Sequence, residues 1–295
     1  MIFMFTEEEL EYIIKAGRIV RNLLSRINYF IKENISLLEL CEKIENEIRN
    51  SNGEPAFPCN IGIDEIAAHY TPSINDNKKL NYGCLLKIDI GAHINGFIAD
   101  AAITISFGSE YKEMIEVAKE ALDKALSLIS IGEKISNIGE IIEKTIKSYG
   151  YKPISNLTGH KISRYMIHAG VSIPNISSNT YGRIEPWSIY AIEPFVTLSE
   201  AKGEVINGPL GNILQIIKIK GPKDPKLKDF FDYLFKKYRT LPFARRWIEN
   251  QEYLNLLKKD KLIYEYPILI EASSFPVAQV EHTILTTDKE VIVIT

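Results

Sequence analysis

The fourteen residues KIDIGAHINGFIAD, 87–100, restrict the fold more than any other stretch of the chain. Asn95-Gly96 is the strongest short signal for a two-residue type I′ turn, because both central residues of that turn need positive φ. A turn there sets Ile94 opposite Phe97 and Gly91 opposite Asp100. Asp89 lies two residues from Gly91 and so shares its face. Asp89 and Asp100 then become diagonal neighbours on adjacent strands, with backbones roughly 7–8 Å apart and tips closer. Two like charges that near, partly buried, must lose a charge or gain a counter-charge. Three readings are open here: a proton-sharing acid–base dyad, a divalent metal site, and a wet face of the kind antiparallel sheets present to solvent.

Other polar residues interrupt apolar runs elsewhere. Glu193 sits in YAIEPFVT, where Pro194 biases it towards an extended backbone. Glu281 sits in VAQVEHTILTT. Of five histidines, His69 lies in AAHYTP, His160 and His168 in TGHKISRYMIHAG, His93 on the hairpin, and His282 after Glu281. If 157–169 is extended, the even spacing puts His160 and His168 on one face. Each residue alone reads as an ordinary exposed or hydrogen-bonded side chain. Together, Asp89, Asp100, His160, Glu193 and Glu281 form a set drawn from separate apolar strands. Oxygen-rich donors with one imidazole suit Mn, Fe(II), Co or Zn. Four carboxylates exceed the needs of one structural zinc and would neutralise a pair of divalent ions. No GxGxxG, Walker A, GxSxG or HExxH pattern is present, which argues against the common nucleotide-binding, serine-hydrolase and zincin chemistries.

The order of elements follows from caps and periodicity. Thr6 with Glu9 predicts a capping box and a helix with Leu10, Ile13, Ile14, Gly17, Val20 and Leu24 at helical spacing. Ser36 with Glu39 predicts a second box, opening a helix to about Arg49. Gly53, Pro55 and Pro58 mark a loop before strands near 84–107. The pattern then recurs: a helix over 110–130, another from Ser136 to about Tyr149, and strands around 157–169, 188–198, 212–219, 275–286 and 290–295. Helix, helix, strands is thus read twice, as in a duplication. Residues 222–261 differ, being helix-rich with Leu234, Phe235, Tyr238, Trp247, Leu254 and Leu257 inward. Between Lys218 and Lys261, thirteen Lys/Arg face six Asp/Glu, a net +7 in a chain of net −3.

Length and composition fit a soluble globular protein of one large domain or two ordinary ones, with 45% hydrophobic and 25% charged residues. Three scattered cysteines, Cys41, Cys59 and Cys84, suit a reducing compartment rather than a disulfide framework or a cysteine-rich zinc site. No apolar run approaches the ~18 residues of a membrane span. The start, MIFMFTEEEL, lacks the basic residues and long apolar core of a secretory signal. A cytoplasmic protein is expected, with no membrane association.

At this level of detail the chain resembles a known family. The succession KIDIGAHINGFIAD, TGHKISRYMIHAG, YAIEPF and QVEHTI is similar to that of the pita-bread metallopeptidases. AAHYTP, IHAG followed by IP, and EHTIL resemble most closely the type 2 methionine aminopeptidases of archaea and eukaryotes. The likeness runs from about residue 6 to the C-terminus. It implies an α+β pita-bread fold: a pseudo-two-fold antiparallel sheet covered by two helix pairs, in one catalytic domain over 1–295. The helical segment 205–265 matches the insertion that marks type 2. It implies two divalent ions (Co, Mn, Fe(II) or Zn), with Asp89 on one, Asp100 and Glu281 bridging, and His160 and Glu193 completing the other. His168 is implied to assist the oxyanion at the scissile bond, His69 to contact the substrate backbone or leaving amine, and Tyr266 to line the methionine pocket. Lys161, following His160, departs from the small residue found in many members.

The implied reaction removes methionine from nascent polypeptide N-termini by attack of a water activated between the ions, with Glu193 handling its proton and a small residue required after methionine. An X-Pro dipeptidase of the same fold is the second reading; its relatives usually carry an extra N-terminal domain. A non-catalytic pita-bread protein binding RNA or ribosomes is the third, and such relatives lack the ligands. For the +7 segment, a solvated helical face is the first reading and ribosome contact, through Arg245 and Arg246 among others, the second. A monomer is expected.

Overall fold

The computed structural model of the chain describes residues 4–295; the first three residues of the MIFMFTEEEL start lie outside them. Helices α1 (Glu7–Ser25) and α2 (Leu37–Asn50) form a first pair. Strands β1 (Glu54–Pro55), β2 (Asn60–Ile63) and β3 (Ile66–Ala68) lead into the long hairpin β4 (Cys84–Ile94) and β5 (Phe97–Phe107). Helices α3 (Lys112–Leu128) and α4 (Ile135–Ser148) form the second pair. Short strands β6 (Lys152–Pro153), β7 (Thr158–Ile162), β8 (Ser172–Pro174), β9 (Ser188–Ile192) and β10 (Phe195–Thr197) precede the long β11 (Val205–Ile216). Next come α5 (Pro225–Tyr238), β12 (Phe243–Ala244), α6 (Gln251–Lys259) and β13 (Ile263–Glu271). Strands β14 (Val277–Gln279), β15 (His282–Thr286) and β16 (Val291–Val293) end the chain.

The hairpin turn has the conformation its dipeptide calls for, with φ of 50° at Asn95 and 85° at Gly96. Ile94 pairs with Phe97 and Gly91 with Asp100, the register read from the sequence. Helix α1 starts at a reciprocal capping box: the Thr6 hydroxyl accepts from the Glu9 N–H, and the Thr6 N–H donates to the Glu9 carboxylate. Its buried stripe is Ile13, Ala16, Gly17, Ile19, Val20 and Leu23, with Leu10, Ile14 and Leu24 half-buried at its margin. A Cβ on Gly17 would stand 2.3 Å from the Ile294 carbonyl oxygen, so the C-terminal segment lies directly on the helix.

Local chemistry departs from expectation at three places. At Ser36 only half a box forms: the hydroxyl caps the Glu39 N–H, but the Glu39 carboxylate turns to Lys43. Helix α4 begins at Ile135 after Lys134, one residue before Ser136, and has no side-chain cap. The run 157–169 is not one strand. Strand β7 ends at Ile162, and the chain reverses through a Ser163–Met166 bridge with Tyr165 at φ 57°.

Helices α1 and α2 pack with the β4–β5 hairpin around one apolar core, and α3 and α4 with β9 and β15 around a second. Strands β16-β15-β9-β7-β8 form one antiparallel sheet and β14-β10-β6 another. The hairpin joins them side on, where the Asp100 N–H donates to Thr283 Oγ1 at 2.8 Å and the Glu281 N–H donates to the Ala102 carbonyl at 2.9 Å. Helices α5 and α6 make their own core with β11 and β13, including Phe231, Leu234, Tyr238, Leu254 and Leu257; Phe235 and Trp247 pack at its edge.

Candidate metal centre and substrate cavity

Each candidate side chain reaches the centre for a local reason. The type I′ register puts Asp89 and Asp100 on one face of the hairpin. The two glutamates occupy matching interruptions. Glu193-Pro194 separates β9 from β10, and Val280-Glu281 separates β14 from β15. The pairs Ile192–His282 and Phe195–Gln279 keep one register across both gaps, so Glu193 stands opposite Glu281. Proline has no N–H for the ladder, which opens the pairing there. His160 comes from β7, beside β9.

Asp100, His160 and Glu281 offer ligand atoms that all lie within 4.8 Å of one another, and all three are buried. His160 Nε2 is 3.6 Å from Asp100 Oδ2 and 3.5 Å from Glu193 Oε1. Asp89 Oδ1, Asp100 Oδ1 and Glu281 Oε1 are buried without a hydrogen-bond partner. Buried polar atoms left unpaired cost free energy, so a cluster of them around one point fits a ligand set that a cation completes.

The electrostatics agree. Burial pushes the Asp89 carboxyl up to about 7. Burial, then repulsion from neighbouring carboxylates, pushes Asp100 and Glu281 well above the usual range; for Glu193 the causes are burial and Asp89. Burial holds His160 down to about 3, so its imidazole is neutral and free to donate a lone pair. Oxygen donors with one neutral nitrogen suit divalent Mn, Fe, Co or Zn.

The carboxylates open onto a cavity of about 400 Å³ that brings together the five candidate ligands with His69, His168 and Tyr266. The His168 ring packs edge-on to His160 at 4.4 Å. It arrives there by the reversal at residues 163–166 rather than by strand alternation. His69 has φ 63° and lies edge-on to Tyr266 at 5.2 Å. Burial holds His69 down to about 4. The Tyr266 hydroxyl donates to Gln215 Oε1. His93 and His282 are structural: His93 Nδ1 accepts the Gly96 N–H, and His282 Nδ1 pairs with Thr295 Oγ1. Lys161 alternates away from the centre and pairs with Glu185, so its charge does not enter the cavity.

Residues missed in the sequence complete the walls: Phe57, Leu157, Phe195, Ile213 and Leu269 are apolar, Asn60 and Gln279 polar. Gln279 Nε2 donates to Glu281 Oε2 at 3.2 Å. The period of two offered a signal for two of them, since Phe195 and Gln279 each lie two residues from a glutamate of the centre. Asn60 pairs across the ladder with Asp89, which only tertiary pairing reveals.

Residues 11–288 match the profile of metallopeptidase family M24. A curated methionine aminopeptidase of Methanocaldococcus jannaschii is 43% identical over 288 residues, covering 96% of this chain and 97% of that one. Among solved structures, a thermophilic Arx1 superposes with a TM-score of 0.82 at 17% identity, over 98% of this chain and 91% of that one. The methionine aminopeptidase of Thermotoga maritima superposes with a TM-score of 0.73 at 21% identity, over 100% and 99%. At such identities the two superpositions speak for the pita-bread fold alone.

Proposed function

The chain belongs to metallopeptidase family M24, and from that premise we propose that it removes the N-terminal methionine of nascent proteins and peptides by hydrolysis. Divalent metal use comes with the family. The observation that carries the reading is the meeting, in one cavity, of the Asp100–His160–Glu281 cluster with an apolar wall of Phe57, Phe195, Ile213 and Leu269. Such a wall suits an unbranched thioether side chain. The curated relative's name supports the same substrate. The enzyme acts in the cytoplasm in this reading, as one catalytic domain with 205–265 an insertion within it.

Asp89, Asp100, His160, Glu193 and Glu281 would hold the metal, with Asp89 toward one ion of a pair, Asp100 and Glu281 shared, and His160 and Glu193 toward the other. When bound, the ions supply Lewis acidity, lowering the pKa of a water and polarising the substrate carbonyl. Glu193 takes the proton of the attacking water and passes it to the leaving amine. His168 donates a hydrogen bond to the developing oxyanion. His69, neutral in its buried position, contacts the substrate backbone or the leaving amine. Tyr266 closes the methionine pocket beside His69.

The decisive assay offers the protein, with Mn, Co, Fe(II) or Zn in turn, a Met-Ala-Ser peptide and an X-Pro dipeptide. Methionine release from the first is the expected result. Cleavage of the X-Pro substrate alone overturns the reading, and no cleavage of either favours a binding protein.

Ribosome contact through the basic segment is a secondary reading, behind a solvated helical face. Arg246 is buried and Arg245 pairs with Glu265, so that pair is not a docking surface. The exposed Lys223, Lys226, Lys236, Lys237 and Lys259 remain to face rRNA phosphates. Replacing Lys226, Lys236 and Lys237 by Gln is expected to weaken salt-sensitive ribosome cosedimentation; unchanged binding removes this partner.

A further inference from the structure

Arg246 belongs to the basic segment by sequence but not by position. Its side chain is 2% exposed, as is that of its partner Glu45 on α2. Glu45 Oε1 accepts from Arg246 Nη2 and from the Cys59 N–H at 3.1 Å, while Oε2 accepts from Trp247 Nε1 at 2.9 Å. Arg246 Nη1 donates to Thr71 Oγ1 at 2.8 Å and to the Pro72 carbonyl at 3.1 Å. One buried ion pair therefore grips the chain at both ends of the β2–β3 segment. One grip lies just before Asn60, the partner of Asp89, and the other just after His69.

His69 needs such a grip. A φ of 63° is uncommon for any residue but glycine, and it persists only where surroundings over-determine it. Asn212 Nδ2 adds a hold on the Thr71 carbonyl at 3.2 Å from the same side. A Cβ on Gly211 would come within 3.2 Å of the His69 carbonyl, so β11 presses on the residue itself. Neither Arg246 nor Glu45 lines the cavity. Their reach into it runs through Thr71 and Pro72.

We infer that Arg246 and Glu45 are positioning residues, a buried clamp by which the 205–265 segment and α2 together hold His69 in its left-handed conformation against the substrate. The inference rests on the proposed aminopeptidase reading for the role of His69. The guanidinium fork matters: it spans Thr71 and Glu45 at once, which a lysine ammonium does not reproduce.

The test is a double-mutant cycle with a spectroscopic arm. Arg246→Lys and Arg246→Met are assayed for methionine release in the wild-type and His69→Ala backgrounds. Arg246→Met is expected to lower kcat about 10²-fold in the wild-type background, the effect of a reacting group displaced by about 1 Å. Arg246→Lys falls between. In the His69→Ala background the same changes are expected to cost less than about twofold, since coupled residues are not additive. Equal losses in both backgrounds, or none in the wild type, overturn the inference. Metal-free Arg246→Lys is also examined by imidazole NMR, which the five histidines make resolvable. The His69 resonances are expected to shift while those of His93 and His282 stay, and an unmoved His69 overturns the inference even if Arg246→Met does not fold. A wild-type protein that releases no methionine overturns the aminopeptidase reading instead, and the NMR arm still decides the clamp.

Discussion

Asp100→Asn is expected to abolish methionine release and, in the metal-free protein, to raise the melting temperature at neutral pH. The two effects have one cause. Asp100 is 3% exposed and stands among Asp89, Glu193 and Glu281, and burial with their repulsion drives its carboxyl well above the usual range. Without a cation the cluster is a liability that the fold carries for function, so a neutral isostere at its centre relieves repulsion. In the proposed site the same carboxylate would be a ligand shared by the bound ions. Its loss is expected to reduce release by at least about 10³-fold, the scale set by removing one group that stabilises the transition state. Methionine release and thermal melts of the metal-free variant check both halves. Full activity in Asp100→Asn, or a lower melting temperature without metal at neutral pH, contradicts the assignment.

The second large effect is a stability profile that runs opposite with and without metal. Asp89 has a folded-state value near 7, above the ordinary ~3.9 of an unfolded aspartate. Between those values the folded chain holds a proton that the unfolded chain has released. Stability therefore falls as pH rises through that window, at about 1.4 kcal/mol per pH unit for this one group. Over the window the loss is on the order of 4 kcal/mol. Asp100, Glu193 and Glu281 shift in the same direction and deepen it. Glu271 works the other way. Its carboxylate accepts N–H bonds from Gly203, Ser273 and Phe275 and is held low, so its contribution is lost as pH falls below the ordinary carboxylate range. Metal binding requires deprotonated ligands, so saturating Mn is expected to reverse the slope, adding about 2.7 kcal/mol at a hundredfold excess over Kd for each site filled. Melts from pH 4.5 to 8, with and without Mn, check this. A flat metal-free profile contradicts it.

Much of the candidate site was legible because its proposed ligands break apolar runs. Asp89, Asp100, Glu193 and Glu281 are conspicuous where strand residues surround them, and the Asn95-Gly96 turn carries enough backbone information to set a register. The cap at Thr6 was legible for a similar reason: two side chains three residues apart answer each other's backbone. Where several outcomes satisfy the same local chemistry, the reading faltered. Ser36 looks like Thr6 in pattern, yet Lys43 draws Glu39 away. The stretch 157–169 has strand-like composition, yet its chain reverses at Ser163, and the reversal carries His168 to His160. The basic segment misled by arithmetic. A charge count treats Arg246 like the exposed lysines around it, although its carboxylate partner lies 201 residues away and both are buried.

By itself the sequence determined the residue types of the candidate metal centre, the register of its hairpin and the alternation of helix pairs with strands. These follow from short-range rules: positive φ at Asn-Gly, reciprocal caps, and side chains that change face every residue along a strand. Only the tertiary structure decided that Glu193 stands opposite Glu281, that Asn60 pairs with Asp89, and that Arg246 grips the loop behind His69. Those juxtapositions join segments far apart in the chain. They are selected by burial and by the pairing of polar groups within it, and no local spacing records which partner a buried charge will find.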